Sequence, residues 1–65
     1  MAYILKGDLI LVDGKQAIAT SDDYIRQVAG TGEYIEDWSY VPSVEYMRPE
    51  TGVKGITPLR NVQKI

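Results

Sequence analysis

The dipeptide Asp13-Gly14 sits between the short apolar run Leu9–Val12 and the segment Gln16–Thr20, in the stretch LILVDGKQAIAT. A two-residue link of this kind suits a tight hairpin turn in which both central residues have positive φ. Glycine has no Cβ to clash there, and aspartate tolerates the left-handed region. The spacing predicts strands at about 8–12 and 16–20. Side chains alternate along a strand, so Ala17 and Ala19 share a face and call for close packing or a crowded barrel interior. Tyr3 to Leu5 reads as an earlier strand, or as the start of the same one bent at Gly7.

Two further turn signals follow at roughly even spacing, Gly30-Thr31-Gly32 and Pro49-Glu50-Thr51-Gly52. Proline presets φ early in the second of these and glycine relaxes it late. Val44–Arg48 alternates Val44, Tyr46 and Arg48 against Glu45 and Met47, and Val53–Ile56 returns as its partner, interrupted by Gly55. Pro58-Leu59-Arg60-Asn61 reads as one helical turn, with Thr57 in capping position and Pro58 at the first helical position. Val62–Ile65 then closes the chain as a short strand. Three successive hairpins are the expectation.

Residues 21–41 carry two patterns at once. In SDDYIRQVAG, Ser21 suits a helix cap with Asp22 and Asp23 in the first turn and Gly30 at the end. In EYIEDWSYVP, Tyr34, Ile35, Trp38 and Val41 fall on one helical stripe that Pro42 would stop. Tyr, Ile, Trp, Ser and Val are middling helix formers, and the aromatic and branched ones suit a pleated, half-buried surface. Strand is the expected state of both segments, and an α+β fold with short helices in 21–41 is the alternative.

The layout resembles small SH3-like barrels, in which five or six short strands close on themselves and a single helical turn precedes the last strand. Gly7–Val12 matches their first strand in pattern, and Pro58–Ile65 matches their turn and closing strand. The resemblance implies an all-β fold, and with no sequence repeat, low-complexity tract or linker the chain is expected to form one compact domain over 1–65. It implies no function, because that architecture hosts many unrelated roles.

Size and composition narrow the roles. A domain of 65 residues buries only about 60% of the surface its unfolded chain exposes. It contains neither cysteine nor histidine, so disulfides, ordinary structural zinc sites and the common catalytic triads have no members. Ser21, Ser39 and Ser43 have no evident activating base. The carboxylate pairs Asp22-Asp23 and Glu36-Asp37 read more simply as turn, cap or solvated residues than as acid–base or metal sites. Neither Gly30-Thr31-Gly32 nor Gly52–Gly55 forms a phosphate loop. No catalysis, cofactor or metal is expected. The amino end has no basic n-region, Lys6 and Asp8 break its apolar run, and no run approaches the roughly 20 apolar residues of a membrane span. A cytoplasmic or virion-associated protein with no membrane partner is the expectation.

Charge is uneven along the chain. Residues 1–47 carry eight acids and three bases, whereas residues 48–65 carry four bases and one acid. The two parts are expected to cancel against each other in the fold. Six aromatics in 65 residues exceed what a thin core needs, and tyrosine and tryptophan are enriched at interfaces. The chain therefore reads as a non-catalytic module for protein–protein interaction or self-assembly, its partner another protein or a second copy of itself. Tyr34, Trp38, Tyr40 and Tyr46 are the contact candidates, Trp38 also serving as core. The alternatives are a weak nucleic-acid-binding barrel using Arg48, Lys54, Arg60 and Lys64, and an acidic inhibitor of a nucleic-acid-binding protein. The apolar residues Tyr3, Ile4, Leu9, Leu11, Ile18, Ile25, Val28, Ile35, Val44, Met47, Val53, Ile56, Leu59, Val62 and Ile65 are the expected core.

Overall fold

The computed structural model describes residues 3–29 and 38–65, with positions 28, 29, 38 and 39 as backbone alone. Its elements run β1 (Leu9–Val12), β2 (Lys15–Ala19), β3 (Tyr24–Ala29), β4 (Trp38–Met47), β5 (Lys54–Pro58), a 3₁₀ turn (Leu59–Asn61) and β6 (Val62–Lys64). Every strand pair is antiparallel. The six strands form a small SH3-like half-barrel with its helical turn before the final strand, as the two ends of the chain suggested. The helical alternative fails at both strands bordering the middle of the chain, Tyr24–Ala29 and Trp38–Met47. The Gly30-Thr31-Gly32 turn, Tyr34 and Ile35 lie outside the described residues.

The first hairpin is built as its turn residues dictate. Asp13 has φ 53° and Gly14 has φ 80°, and Val12 pairs directly with Lys15. Two positive φ values in a two-residue loop match the right-handed twist of the flanking strands. The register Ile10↔Ala17 and Val12↔Val62 then places Ile10, Val12, Ala17, Ala19 and Val62 on one buried face. Ala17 and Ala19 are small there because that face is crowded.

β4 is longer than the sequence suggested. Tyr40–Pro42 and Val44–Met47 belong to one ten-residue strand that runs through Pro42. Ser43 pairs with Tyr24 of β3 and also with Pro58 of β5. Tyr46 pairs with Ala19 of β2 and with Gly55 of β5. One edge of β4 therefore takes β2 and then β3, and the other takes β5. Pairing with β5 begins only at Ser43, so among the described residues Pro42 has a strand neighbour on one edge alone. Proline, which lacks an N–H, is confined to such positions.

Among the described residues the core consists of Ile4, Ile10, Val12, Ala17, Ala19, Val44 and Val62, with Tyr46 and Leu59 packed against it. It is smaller than the sequence suggested. Tyr3, Leu9, Ile25, Val53, Ile56 and Ile65 are exposed, because a curled single sheet has one interior face and these residues lie on the other, at its ends or, for Ile25, where the interior face runs out past the strands that would cover it. The 3₁₀ turn also differs in detail: Pro58, not Thr57, is its cap residue, and no side-chain hydrogen bond caps it. Thr57 is instead a buried β5 residue whose hydroxyl donates to the Pro58 carbonyl at 3.3 Å.

Ile4 reaches the core from outside the sheet. Three aspartates hold the segment that carries it. The amide of Ile4 donates to Asp23 Oδ1 (3.1 Å), that of Leu5 to Asp8 Oδ2 (3.0 Å) and that of Lys6 to Asp22 Oδ1 (2.8 Å). The Asp23 amide donates back to the Ile4 carbonyl at 3.0 Å. Asp22 and Asp23 thus do not open a helix. They supply the acceptors that an irregular segment, with no ladder partner, otherwise lacks. Lys64 secures the same segment by donating to the Tyr3 carbonyl at 2.9 Å.

Tyr46 lies across β5 at Gly55. A Cβ at position 55 would fall 2.9 Å from Tyr46 Oη and 3.0 and 3.1 Å from two ring carbons. The Arg48 guanidinium stands 5.2 Å from the centroid of the same ring. Gly55→Ala should destabilise the fold by about 1–3 kcal/mol, the usual cost of overpacking, lowering Tm by several degrees. The loss should shrink in a Tyr46→Leu background. An equal loss in both backgrounds would show that the ring is not what position 55 accommodates.

Candidate interaction surface

β3 and the first part of β4 form a two-stranded arm. Six residue pairs join them, from Tyr24↔Ser43 to Ala29↔Trp38, and among the described residues β3 pairs with no other strand. Tyr24, Ile25, Arg26 and Gln27 are all exposed. On one face Ile25, 62% exposed, pairs with Pro42, while Tyr40, 69% exposed, pairs with Gln27. By alternation this face continues that of Val44 and Tyr46, which points into the barrel. The arm therefore carries the lining of the core out beyond the other strands that would cover it. A two-stranded ribbon is marginal alone in water, so its uncovered apolar side chains stand out.

A shallow cleft of about 180 Å³ lies where the arm meets the 3₁₀ turn, lined by Val41, Pro42, Pro58, Leu59 and Arg60. Ser43, buried at the same junction, turns its hydroxyl to the Val41 carbonyl at 3.0 Å. Two prolines and a 3₁₀ turn make the walls stiff, and Arg60 supplies the cation at the rim. Sequence pattern pointed to Tyr40 but not to Ile25, Pro42, Pro58 or Leu59. Pro42 held the available signal, since a proline inside a β-prone run marks an edge.

The other candidates occupy different settings. Tyr46 is half-buried against the core and Gly55. Trp38 is the first residue of β4, described by backbone alone. Tyr34 lies outside the described residues. The four basic residues do not share one setting. Arg48 donates from Nη1 to the carbonyls of Lys15 (2.9 Å) and Gln16 (3.3 Å), and from Nη2 to that of Val12 (3.0 Å). It braces the turn end of the β1–β2 hairpin, within a polar hollow that Lys15, Gln16 and Glu50 also line. Lys64 is engaged with Tyr3, its Nζ 5.2 Å from the ring centroid, and approaches Asp8 Oδ2 at 4.0 Å. Lys54 and Arg60 are exposed. The Lys64–Asp8 contact is the one ion pair among the described residues, and there the basic end of the chain meets the acidic part by direct contact.

Among the described residues no three acidic side chains converge as a metal site, and no helix is long and apolar enough to cross a membrane. Comparison with protein-family models, curated proteins and solved structures found no match.

Arg48→Met keeps much of the apolar stem and removes the three donors. It should cost about 1.5–3 kcal/mol, the range for hydrogen bonds from a charged group, and expose the β1–β2 hairpin to faster amide exchange. An unchanged Tm would show that the carbonyls are equally well served by water.

Proposed function

We propose that the chain is a non-catalytic module that binds another protein through the β3–β4 arm and the cleft at its base. The observation that supports this most directly is Tyr40, a large aromatic in solvent on a ribbon whose Ile25 and Pro42 are also uncovered. Tyrosine offers broad contact area at low entropic cost and keeps a hydroxyl for the rim of an interface. The cleft beside it is small, apolar and edged by Arg60, a shape suited to one inserted apolar side chain next to a carboxylate.

The nucleic-acid alternative has less support in the geometry. Phosphate tracking needs several cations free on one face. Of the four candidates, Arg48 and Lys64 spend their donors on backbone carbonyls of this chain.

Tyr40→Ala should leave Tm within about 4 °C, since surface substitutions typically cost under ~0.5 kcal/mol and 1 kcal/mol moves the Tm of so small a domain by about 4–8 °C. It should weaken capture of a partner from the native source at least tenfold, the scale of an interface hot spot. Nuclease treatment should leave capture intact. A collapse of Tm would make Tyr40 structural, and loss of the captured species on nuclease treatment would point to nucleic acid.

A further inference from the structure

The outward face of β4 and β5 carries four side chains at the corners of a quadrilateral. The register pairs Glu45 with Ile56 and Met47 with Lys54. Val44, Tyr46 and Thr57 of the same strands turn inward to the core, so these four turn outward. Ile56 and Met47 occupy one diagonal, Glu45 and Lys54 the other. Ile56 is 44% exposed, Glu45 and Lys54 are exposed, and Met47 is half-buried. The apolar row continues from Met47 across Ile18 to Leu9, which is 62% exposed.

Glu45 and Lys54 are diagonal neighbours across two strands, a separation that long side chains can bridge. They do not bridge it: the single ion pair among the described residues is Lys64–Asp8. One acid and one base thus flank two apolar residues on an outward sheet face, each without an ionic partner among the described residues.

We propose that this face binds a second copy of the chain. A two-fold axis along the Met47–Ile56 diagonal lays each of those residues on its own counterpart. The same operation carries Lys54 of one copy over Glu45 of the other, and does so twice. Two-fold interfaces must be self-complementary in this way. The charge pattern supplies orientation, and the apolar diagonal with Ile18 and Leu9 at its margin supplies the buried area. Sheet faces pack in this manner about 10 Å apart. The surface is separate from the β3–β4 arm, whose residues it does not use.

The test is sedimentation or light scattering across protein concentration, with the folded state followed by circular dichroism. The wild-type chain should dimerise in a concentration-dependent manner and less tightly at high salt. Glu45→Lys and Lys54→Glu should each be monomeric alone, because each brings like charges together. An equimolar mixture of the two should form a heterodimer, with both contacts now complementary, and the double variant E45K/K54E should dimerise again. Ile56→Lys should be monomeric in every combination, and Tyr40→Ala should dimerise as the wild type does. A wild-type chain that stays monomeric up to about 1 mM, single variants that dimerise undiminished, or a mixture that fails to associate would each overturn the proposal. Loss of dimer on Tyr40→Ala would overturn it too, by moving the contact to the arm.

Discussion

Ten consecutive residues, Trp38–Met47, hold the sheet together. β4 is the strand with which β2, β3 and β5 all pair, and it serves two of them on one edge by exchanging β3 for β2 along its length. A 65-residue chain without disulfides has little apolar area with which to fix a topology. A long strand satisfied on both edges supplies a rigid axis. The price is that its first half, paired among the described residues only with β3, projects as a ribbon with two solvent-facing sides. The exposed Tyr40 and the cleft at Pro42 follow from the same decision that makes the barrel possible.

The irregular parts are held by charged side chains aimed at backbone groups. Asp8, Asp22 and Asp23 accept three successive amides of the amino-terminal segment. Arg48 donates to three carbonyls around the β1–β2 hairpin, and Lys64 to that of Tyr3. Each places a formal charge where the backbone offers the opposite partial charge and no ladder partner is at hand. These contacts account for charges that composition alone assigned to a solvated face or to a phosphate-binding patch. A charge count along the chain does not distinguish a cation that is free from one that staples a loop.

Local turn chemistry was legible in the sequence, and sidedness was only partly so. Asp13-Gly14 encodes its own φ values, and the placement of Ala17 and Ala19 on a crowded face follows from alternation. The 3₁₀ turn before the last strand was legible from Pro58 and the residues after it, though its cap was not. Pro42 concealed the continuity of β4, because a proline with one open edge is local in appearance and tertiary in cause. The exposure of Leu9, Ile25 and Ile56 was illegible for a similar reason. Their apolar character is the same whether they face the interior or solvent, and only the pairing of strands distant in sequence decides which. Ile25, Pro42, Pro58 and Leu59 come together through that pairing, so no short motif marked the surface they form.

The two outward surfaces differ in how they would select a partner. The arm presents an aromatic and a stiff apolar cleft with Arg60 at the rim and Arg26 opposite Val41, and among the described residues the ribbon has no acid to complement those cations in a second copy. The β4–β5 face presents an acid and a base about an apolar diagonal, a pattern that matches itself. Electrostatic arrangement contributes more to choosing a partner and its orientation than to raw affinity. The β4–β5 face is therefore suited to a second copy and the arm to a partner of different sequence. A dimer formed through that face would leave the arm of each copy available, so that two weak contacts on one assembly could act together. For a domain with so thin a core, doubling in this way adds binding strength without demanding more apolar surface on any one copy.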